Sequence, residues 1–465
     1  MVDSASRRAR RAARRAETHG GLSAAGLMPG GARADSCGMA TPAATLRGAA
    51  EARPWTIQRV LGARAVTSAY QPLVDLDSGE TIGFEALARG PRDSAFERPD
   101  RLFAAAALAG LEREVEFECQ RAALQGALEA GLAPGQALFI NVEPRLLAAE
   151  RPPGLDELAR RAAASFPVFV EFTERSLTDR PAELLATARW LRAQGVGIAL
   201  DDVGADPRSL GLMPVLAPDV IKLDLRLVQE QPSRQIASIV HAVNAEAERT
   251  GAEVLAEGIE TEEHRQTALA LGARYGQGFM FGRPGPLRNA AGTPGRAPSR
   301  RPVADDSAAR TPFGIVTAGR TPRHGTKRLL LAMSRQIEAQ ASSLGRSALV
   351  LSAFQDRDFF TPATAGRYRE LAAGAALVGA LGAGLPDRPV VGVRGGALAA
   401  GDPLCGEWDV AVVGPHFAAA FAARDLGDRC ADMDRRFDFA FTYERSTAIA
   451  VARNMISRLA AVPGR

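Results

Sequence analysis

Acidic side chains between residues 85 and 257 share one position, directly after short apolar runs. Glu85 follows TIGF, Glu171 follows VFV, the pair Asp201 and Asp202 follows GIAL, and Glu257 follows VLA. Carboxylate oxygens are hard ligands, which suit Mg²⁺ or Mn²⁺ better than zinc. Adjacent carboxylates such as Asp201 and Asp202 can bridge two ions, an arrangement that clamps the attacking and leaving oxygens of a phosphoryl displacement.

Three further polar residues stand at equivalent positions. Asn141 follows LFI, Lys222 lies within VIK, and Gln277 lies within YGQG. If the apolar runs are parallel strands, all these side chains meet at one place, where so much negative charge is costly unless cations neutralise it. Any single carboxylate is more simply explained as the cap of a following helix. The seven positions together favour a metal-binding site.

The apolar runs alternate with helical patterns, which indicates how the polar residues are positioned. Runs such as LFINVE, VFVEFT and DVIKLD read as strands, and PAELLATARWLRAQG and SRQIASIVHAVNAEAERTG read as helices. This alternation predicts a mostly parallel sheet covered by helices. Seven or eight such units in roughly 230 residues favour a closed (β/α) barrel, in which the carboxyl ends of all parallel strands converge on one face.

Seven segments in this region resemble a known family. YQPLVDLDSGETIGFEALARG, LFINVEP, VFVEFTER, IALDDVGAD, PDVIKLD, VLAEGIET and YGQGFMFGRP are similar, in order and spacing, to the signature blocks of EAL-domain phosphodiesterases. The resemblance extends over residues 53–287. It implies a TIM-like barrel that binds cyclic di-GMP and linearises it to pGpG with two Mg²⁺ or Mn²⁺ ions. It also implies a homodimer formed through the barrel.

The resemblance assigns a role to each polar position. One metal ion is held by Glu85, Asn141, Glu171 and Asp201, and a second is held by Asp201 and Asp202 with help from Glu257. Lys222 orients the attacking water and offsets charge on the phosphorane, Gln277 supports the water and the metal ligands, and Glu257 is alternatively a general base. Gln71, Leu87 and Arg89 bind the substrate. Arg89 taken alone is equally well explained as a member of a surface ion pair.

The loop after the second aspartate departs from the family pattern. EAL domains usually read DDFGxGYSSL here, whereas this chain reads DDVGADPRSL. Asp206 replaces a glycine, and Pro207 fixes its own φ while disfavouring the helical region for Asp206, so we expect the loop to run differently. The retained metal ligands favour an active enzyme. The altered loop favours the alternative, a catalytically silent cyclic-di-GMP receptor that signals through its C-terminal part.

The remaining chain divides into three segments. Residues 1–52 are predicted to be a disordered basic tail or translated upstream sequence, and residues 288–312 are predicted to be a linker. Residues 313–465 predict a second, smaller α/β or α+β domain. Its blocks FTPATAGRYRELA, VVGVRGGAL and DPLCGEWDVAVVGP resemble the DICT sensory domain, which implies regulation of the barrel.

Composition argues against a nucleic-acid-binding, zinc-binding or membrane-spanning protein. The chain has 465 residues and a net charge of +4, and residues 7–15 alone contain six arginines, so the folded part is close to neutral and specific nucleic-acid binding is not expected. The four cysteines, Cys37, Cys119, Cys405 and Cys430, are too scattered for a zinc site and fit a reducing compartment. No apolar stretch is long enough to predict a membrane span. These features predict a cytoplasmic protein.

Overall fold

The computed structural model describes residues 54–147, 151–173, 177, 180–287, 295–301 and 310–459. The predicted basic tail and parts of the predicted linker lie outside the described residues. The described residues form two units, one within residues 54–67 and Ala88–Cys119, the other within Ser68–Leu87 and residues 120–459. The first unit contains helices α1 (Ile57–Gly62) and α2 (Pro99–Ala109) and the start of α3 (Glu112–Glu129).

Eight strands close into a barrel in chain order. They are β1 (Thr67–Asp75), β2 (Thr81–Arg89), β3 (Ala137–Asn141), β4 (Val168–Thr173), β5 (Gly197–Val203), β6 (Val220–Leu223), β7 (Glu253–Ala256) and β8 (Tyr275–Gln277). Each successive pair from β2–β3 to β7–β8 is parallel, whereas β1 pairs with β8 in the antiparallel sense. The predicted TIM-like barrel is therefore confirmed, with its first strand reversed.

Helices follow most barrel strands. They are α4 (Pro144–Leu147), α5 (Leu155–Ser165), α6 (Pro181–Ala193), α7 (Ser209–Leu216), α8 (Leu225–Gln229), α9 (Arg234–Thr250) and α10 (Glu262–Ala270). Several begin with a side-chain cap: Ser233 accepts a hydrogen bond from the Ile236 N–H at the start of α9, and Thr261 accepts one from His264 at the start of α10. Within the described residues, no helix has both the length and the apolar character needed to cross a bilayer.

The barrel interior is layered, and the layering follows from strand geometry. Side chains two residues apart on a strand share a face. An apolar layer includes Phe139, Phe169, Ala199, Val220, Leu255 and Tyr275. The rings of Phe139 and Phe169 stack at 4.7 Å. Each member precedes a predicted polar site residue by two positions, so the apolar layer supports a second layer of polar side chains at the carboxyl ends of the strands. This second layer, which we call the polar layer, consists of Asn141, Glu171, Asp201, Lys222, Glu257 and Gln277, together with Glu85 and Asp202.

The second, smaller domain is a mixed sheet with helices, as predicted. The strands are β9 (Arg323–Thr326), β10 (Leu349–Asp356), β11 (Leu377–Ala383), β12 (Val393–Leu398), β13 (Glu407–Val413), β14 (Ala418–Asp425) and β15 (Arg436–Thr442). Their order in the sheet is β12-β11-β10-β13-β14-β15-β9, with β10, β11 and β12 parallel and the other pairs antiparallel. The helices are α11 (Pro312–Val316), α12 (Lys327–Leu344), α13 (Pro362–Gly374) and α14 (Arg445–Ile456). We call residues 310–459 the C-terminal domain.

Part of the predicted linker is bonded to the barrel. The backbone N–H of Gly295 donates to the carbonyl of Thr81 at 3.1 Å, and that of Ala297 donates to Gly135 at 3.0 Å. The N–H of Arg301 donates to the carboxylate of Asp219 at 2.9 Å. These contacts lie near the amino ends of the barrel strands, away from the polar layer.

One acidic side chain is buried in the C-terminal sheet. Asp409 on β13 is fully buried, and Glu407 lies two residues earlier on the same face of the strand. Burial, and then the neighbouring charge of Glu407, raise the pKa of Asp409 well above its usual value, while the N–H of Ala423 and the charge of Arg458 oppose them. Asp409 therefore keeps its proton in the fold at pH values where it would ionise in the unfolded chain.

We expect Asp409→Asn to stabilise the protein near neutral pH. A raised pKa in the folded state means that the stability of the wild type falls as pH rises above the unfolded pKa, by at most about 1.4 kcal/mol per pH unit. The amide has no proton to lose, so the difference in Tm should vanish near pH 4 and grow toward neutral pH. Thermal unfolding across that range measures it. Asp387→Asn at an exposed position is the control, and a pH-independent difference would contradict the prediction.

Candidate functional site

Lys222 lies at the centre of the polar layer. Its Nζ atom is 2.7 Å from Glu171 Oε1, 2.9 Å from Glu257 Oε1, 3.0 Å from Asp201 Oδ1 and 3.6 Å from Glu85 Oε2. The lysine side chain is completely buried, and the four carboxylates are almost so. The structure thus brings Lys222 together with four carboxylates, and the sequence predicted each of these five residues at the end of a different strand.

The charges of this group shift its ionisation equilibria. Burial lowers the pKa of an ammonium group, but the four surrounding carboxylates outweigh burial and raise the pKa of Lys222 well above its usual value. Burial, reinforced by the charges of Glu85 and Asp201, raises the pKa of Glu171 well above its usual range, although Lys222 opposes the shift. Lys222 therefore stays protonated, and ionisation of Glu171 is disfavoured without more positive charge.

Amide side chains orient Glu85. Asn141 Nδ2 donates to Glu85 Oε1 at 2.9 Å, and Gln277 Nε2 donates to Glu85 Oε2 at 2.6 Å. Gln277 Nε2 also lies 3.1 Å from Gln71 Oε1, and Gln71 Nε2 donates to the carbonyl of Gly282 at 3.2 Å. Gln71 reaches this end of the barrel because β1 runs in the opposite direction: Leu73 pairs with Gln277 at the end of β8, and Gln71, in the middle of β1, lies beyond that pair.

The two aspartates occupy an irregular stretch of β5. The pairing of β5 with β6 shifts register between Leu200 and Val203, and Asp202 has φ 58°, in the left-handed region. Because of this bulge, Asp202 does not follow the regular alternation of a strand. Asp201, Asp202 and Glu257 each present an oxygen atom within 4.8 Å of the other two. This spacing allows the three carboxylates to share a metal ion.

The site fits divalent cations by its charge and by its atoms. Four carboxylates face one ammonium group, which leaves negative charge for a cation to neutralise. Among the described residues, Glu171 Oε2 is a buried carboxylate oxygen with no hydrogen-bond partner. The Asn141 amide uses its nitrogen toward Glu85, which leaves its oxygen as a ligand. An all-oxygen set of this kind suits Mg²⁺ or Mn²⁺.

The predicted substrate residues continue along β2. Leu87 and Arg89 follow Glu85 at intervals of two residues, and both are partly exposed. Arg89 Nη1 donates to the carbonyl of Ala88 at 2.8 Å. The segment after β8 carries a feature that the sequence did not single out: the guanidinium of Arg283 lies 4.1 Å from the ring centroid of Phe279, which is 46% exposed. The signal was the aromatic and basic residues of YGQGFMFGRP.

The altered loop after Asp202 is held by its own new residues. Val203 is fully buried, and Gly204 has φ 106°, which favours glycine. The Asp206 carboxylate accepts hydrogen bonds from the backbone N–H of Arg208 at 3.1 Å and from its Nε at 2.8 Å. The carbonyl of Asp206 accepts from the N–H and hydroxyl of Ser209, the first residue of α7. Asp206 and Arg208 thus form a compact turn into that helix.

Family models match two parts of the chain. Residues 56–284 match the EAL domain model, and residues 316–426 match the DICT model, described as a sensory domain in diguanylate cyclases and two-component systems. The first match contains the barrel strands and the polar layer. The second covers most of the C-terminal domain.

Individual relatives are similar over about half of this chain. A probable cyclic di-GMP phosphodiesterase of Escherichia coli, PdeB, is 28% identical over 229 residues, which are 48% of this chain and 44% of the relative. The cyclic di-GMP phosphodiesterase RocR of Pseudomonas aeruginosa is 30% identical over 234 residues, 47% of this chain and 57% of the relative. A solved calcium and cyclic di-GMP complex of Klebsiella pneumoniae BlrP1 is 30% identical, covers 48% of this chain and 57% of that chain, and has a TM-score of 0.43. The chain spans about half the length of the curated relatives that it matches.

Proposed function

We propose that this protein, which belongs to the EAL domain family over residues 56–284 and to the DICT family over residues 316–426, hydrolyses cyclic di-GMP to linear pGpG in a metal-dependent reaction regulated by its C-terminal domain. Two relatives named as cyclic di-GMP phosphodiesterases, one of them as probable, support the substrate. The observation that carries the proposal is the buried Lys222 ammonium within 3.6 Å of four carboxylates at the carboxyl ends of the barrel strands.

The polar layer offers two overlapping sets of metal ligands. We assign one ion to Glu85, Asn141, Glu171 and Asp201. We assign the other to Asp201, Asp202 and Glu257, whose oxygens lie within 4.8 Å of one another. Two divalent ions in such a site lower the pKa of bound water and neutralise charge on a phosphoryl group. The alternative role of Glu257 as a general base is compatible with its position beside Asp201 and Asp202.

The other residues of the polar layer orient the metal ligands and neutralise charge on the substrate. Lys222 stays protonated because of its raised pKa, so it supplies a fixed positive charge near the phosphoryl group throughout the reaction. Gln277 fixes one oxygen of Glu85 and connects it to Gln71, so a substrate that contacts Gln71 also contacts the network behind the metal ligands. We assign Gln71, Leu87 and Arg89 to substrate binding, with Arg89 on a phosphate.

The alternative function is a receptor that binds cyclic di-GMP without hydrolysing it. The altered 203–208 loop favours this alternative, because it replaces the family residues directly after Asp202. The retained set of carboxylates around Lys222 favours the enzyme. The predicted homodimer through the barrel and the predicted cytoplasmic location stay predictions, and so does the choice between Mg²⁺ and Mn²⁺.

The proposed function is tested by incubating the purified full chain with cyclic di-GMP and Mg²⁺ or Mn²⁺ and separating the nucleotides. We expect pGpG to accumulate and chelation of the metal to stop the reaction. Glu85→Gln should lower turnover by at least about 100-fold, more than the loss of a residue that only supports a ligand. Glu263→Gln, at an exposed carboxylate on α10, is the control. Tight binding of cyclic di-GMP without turnover in either metal would identify the receptor instead.

A further inference from the structure

Helix α7 lies between the metal-ligand pair and the C-terminal domain. Only residues 204–208 separate the end of β5, which carries Asp201 and Asp202, from the start of α7 at Ser209. All eight residues of α7 are buried. A surface helix of a barrel normally keeps one face in water. The second face of α7 is covered because the C-terminal domain packs on it through α14 and the turn Gly345–Ser347.

The backbone of that turn touches the backbone of α7. A Cβ atom added to Gly211 would lie 2.3 Å from the carbonyl oxygen of Ser347, a separation that side-chain carbons do not tolerate. The obstacle is main chain, so no rotamer change relieves it. Glycine at 211 is therefore required for the two domains to approach as closely as they do.

Arg453 on α14 binds the end of α7. Its Nε atom donates to the carbonyl of Val215 at 2.7 Å, and its Nη2 atom donates to the carbonyl of Pro214 at 3.1 Å. The last carbonyls of a helix have no partners within it, and a cation is favourable at that end. Pro214 lies inside α7 and has no N–H to donate, which weakens the helix further. The C-terminal domain thus supplies bonds that α7 lacks by itself.

The altered loop is also within the electrostatic reach of the C-terminal domain. Partial burial raises the pKa of Asp206, but the hydrogen bonds from Arg208 and the charges of Arg208 and Arg346 outweigh burial and lower it. Arg346 belongs to the turn that contacts Gly211. The carboxylate of Asp206, at a position where the EAL pattern has glycine, therefore interacts favourably with the C-terminal domain.

We infer that the C-terminal domain holds Asp201 and Asp202 in position through α7, and that Arg453 is a positioning residue for this pair. The inference rests on the proposed function, because it takes the two aspartates to be metal ligands. Left-handed backbone is strained for a residue with a side chain, such as Asp202 at φ 58°, and such strain persists only where the surroundings fix it. An α7 anchored at its end by Arg453 and along its side by Ser347 provides that constraint.

The test is the affinity of the full chain for Mn²⁺, measured by the electron paramagnetic resonance signal of the free ion. Arg453→Gln should weaken Mn²⁺ binding by about tenfold, the lower end of the loss seen when partners that orient metal ligands are removed. Arg453→Lys, which keeps the charge, should recover part of the affinity. Arg458→Gln is the matched control, since Arg458 bonds Asp402 and Asn454 within the C-terminal domain. The control should bind Mn²⁺ like the wild type.

A second variant tests the contact between α7 and the C-terminal domain without changing any charge. Gly211→Ala inserts a methyl group against Ser347 and should weaken Mn²⁺ binding without removing any charge, while Gly366→Ala, where a Cβ meets nothing within 4 Å, should not. Circular dichroism confirms that each variant is folded. Wild-type affinity in both Arg453→Gln and Gly211→Ala, or an equal loss in Arg458→Gln, overturns the inference. Mn²⁺ binding by the wild type without pGpG formation contradicts hydrolysis but leaves the positioning role open to the same comparison, so the two failures are distinguishable.

Discussion

Lys222→Met should destabilise the metal-free protein by about 3–5 kcal/mol, the usual loss when one partner of a buried ion pair is removed. Methionine fills much of the same space but leaves Glu85, Glu171, Asp201 and Glu257 without the ammonium group that contacts all four. Saturating Mn²⁺ should restore part of the lost stability, because a divalent ion replaces the missing positive charge. Turnover should fall by about 10²–10³-fold even with the metal bound, as for other fixed charges in active sites.

Thermal unfolding in chelator and in Mn²⁺ measures the stability change, and nucleotide separation measures turnover. Arg328→Met is the control, because Arg328 and Asp434, whose side chains lie 3.6 Å apart, are both exposed and such pairs contribute about 0.2–1 kcal/mol. If Lys222→Met unfolds at the wild-type temperature in chelator, the ammonium group is not what holds the four carboxylates together.

Glu171→Gln should raise the stability of the metal-free protein, unlike Lys222→Met, but should also lower metal affinity and turnover. The amide keeps the shape of the side chain but removes a charge that burial and neighbouring carboxylates disfavour. We expect the metal-free protein to gain roughly 1 kcal/mol, or about 2–4 °C in Tm for a domain of the size of the barrel. Mn²⁺ affinity and pGpG formation should both fall by at least about 100-fold, because a proposed ligand is lost.

Paired melting curves with and without Mn²⁺ check this prediction. The wild type should gain stability on adding the ion, and Glu171→Gln should gain little. Glu183→Gln on α6, where Glu183 pairs with Arg180 at 3.0 Å, should keep the wild-type response. A lower Tm in chelator for Glu171→Gln would mean that the carboxylate stabilises the site without metal.

The composition of the polar layer could be predicted because it follows from where each polar residue stands along its strand. Each apolar run ends in a polar residue, and parallel strands bring those residues to one face. The sequence could not show that Lys222 contacts four carboxylates, because this depends on the radius of the barrel and the length of the lysine side chain. The reversal of β1 was also not predictable, since the run that contains Gln71 has the same apolar character as the parallel strands.

The contact between the domains lies beyond what the sequence could show. Arg453 and Val215 are more than 200 residues apart, and no local pattern connects them. The sequence shows that DDVGADPRSL departs from the EAL pattern, but it does not show which residues surround this loop. In the structure Asp206 forms a turn with Arg208 and is stabilised by the charge of Arg346, a residue whose proximity only the tertiary fold creates.

The burial of all eight residues of α7 bears on how this architecture can evolve. If a descendant lost the C-terminal domain in one step, apolar side chains on the outer face of α7 would become exposed to water, and the Pro214 carbonyl would lose its hydrogen bond from Arg453. Losing the domain would therefore require new surface residues on α7 at the same time. We therefore expect the barrel and the C-terminal domain to be inherited together, and recombination of this barrel with a different domain to be disfavoured.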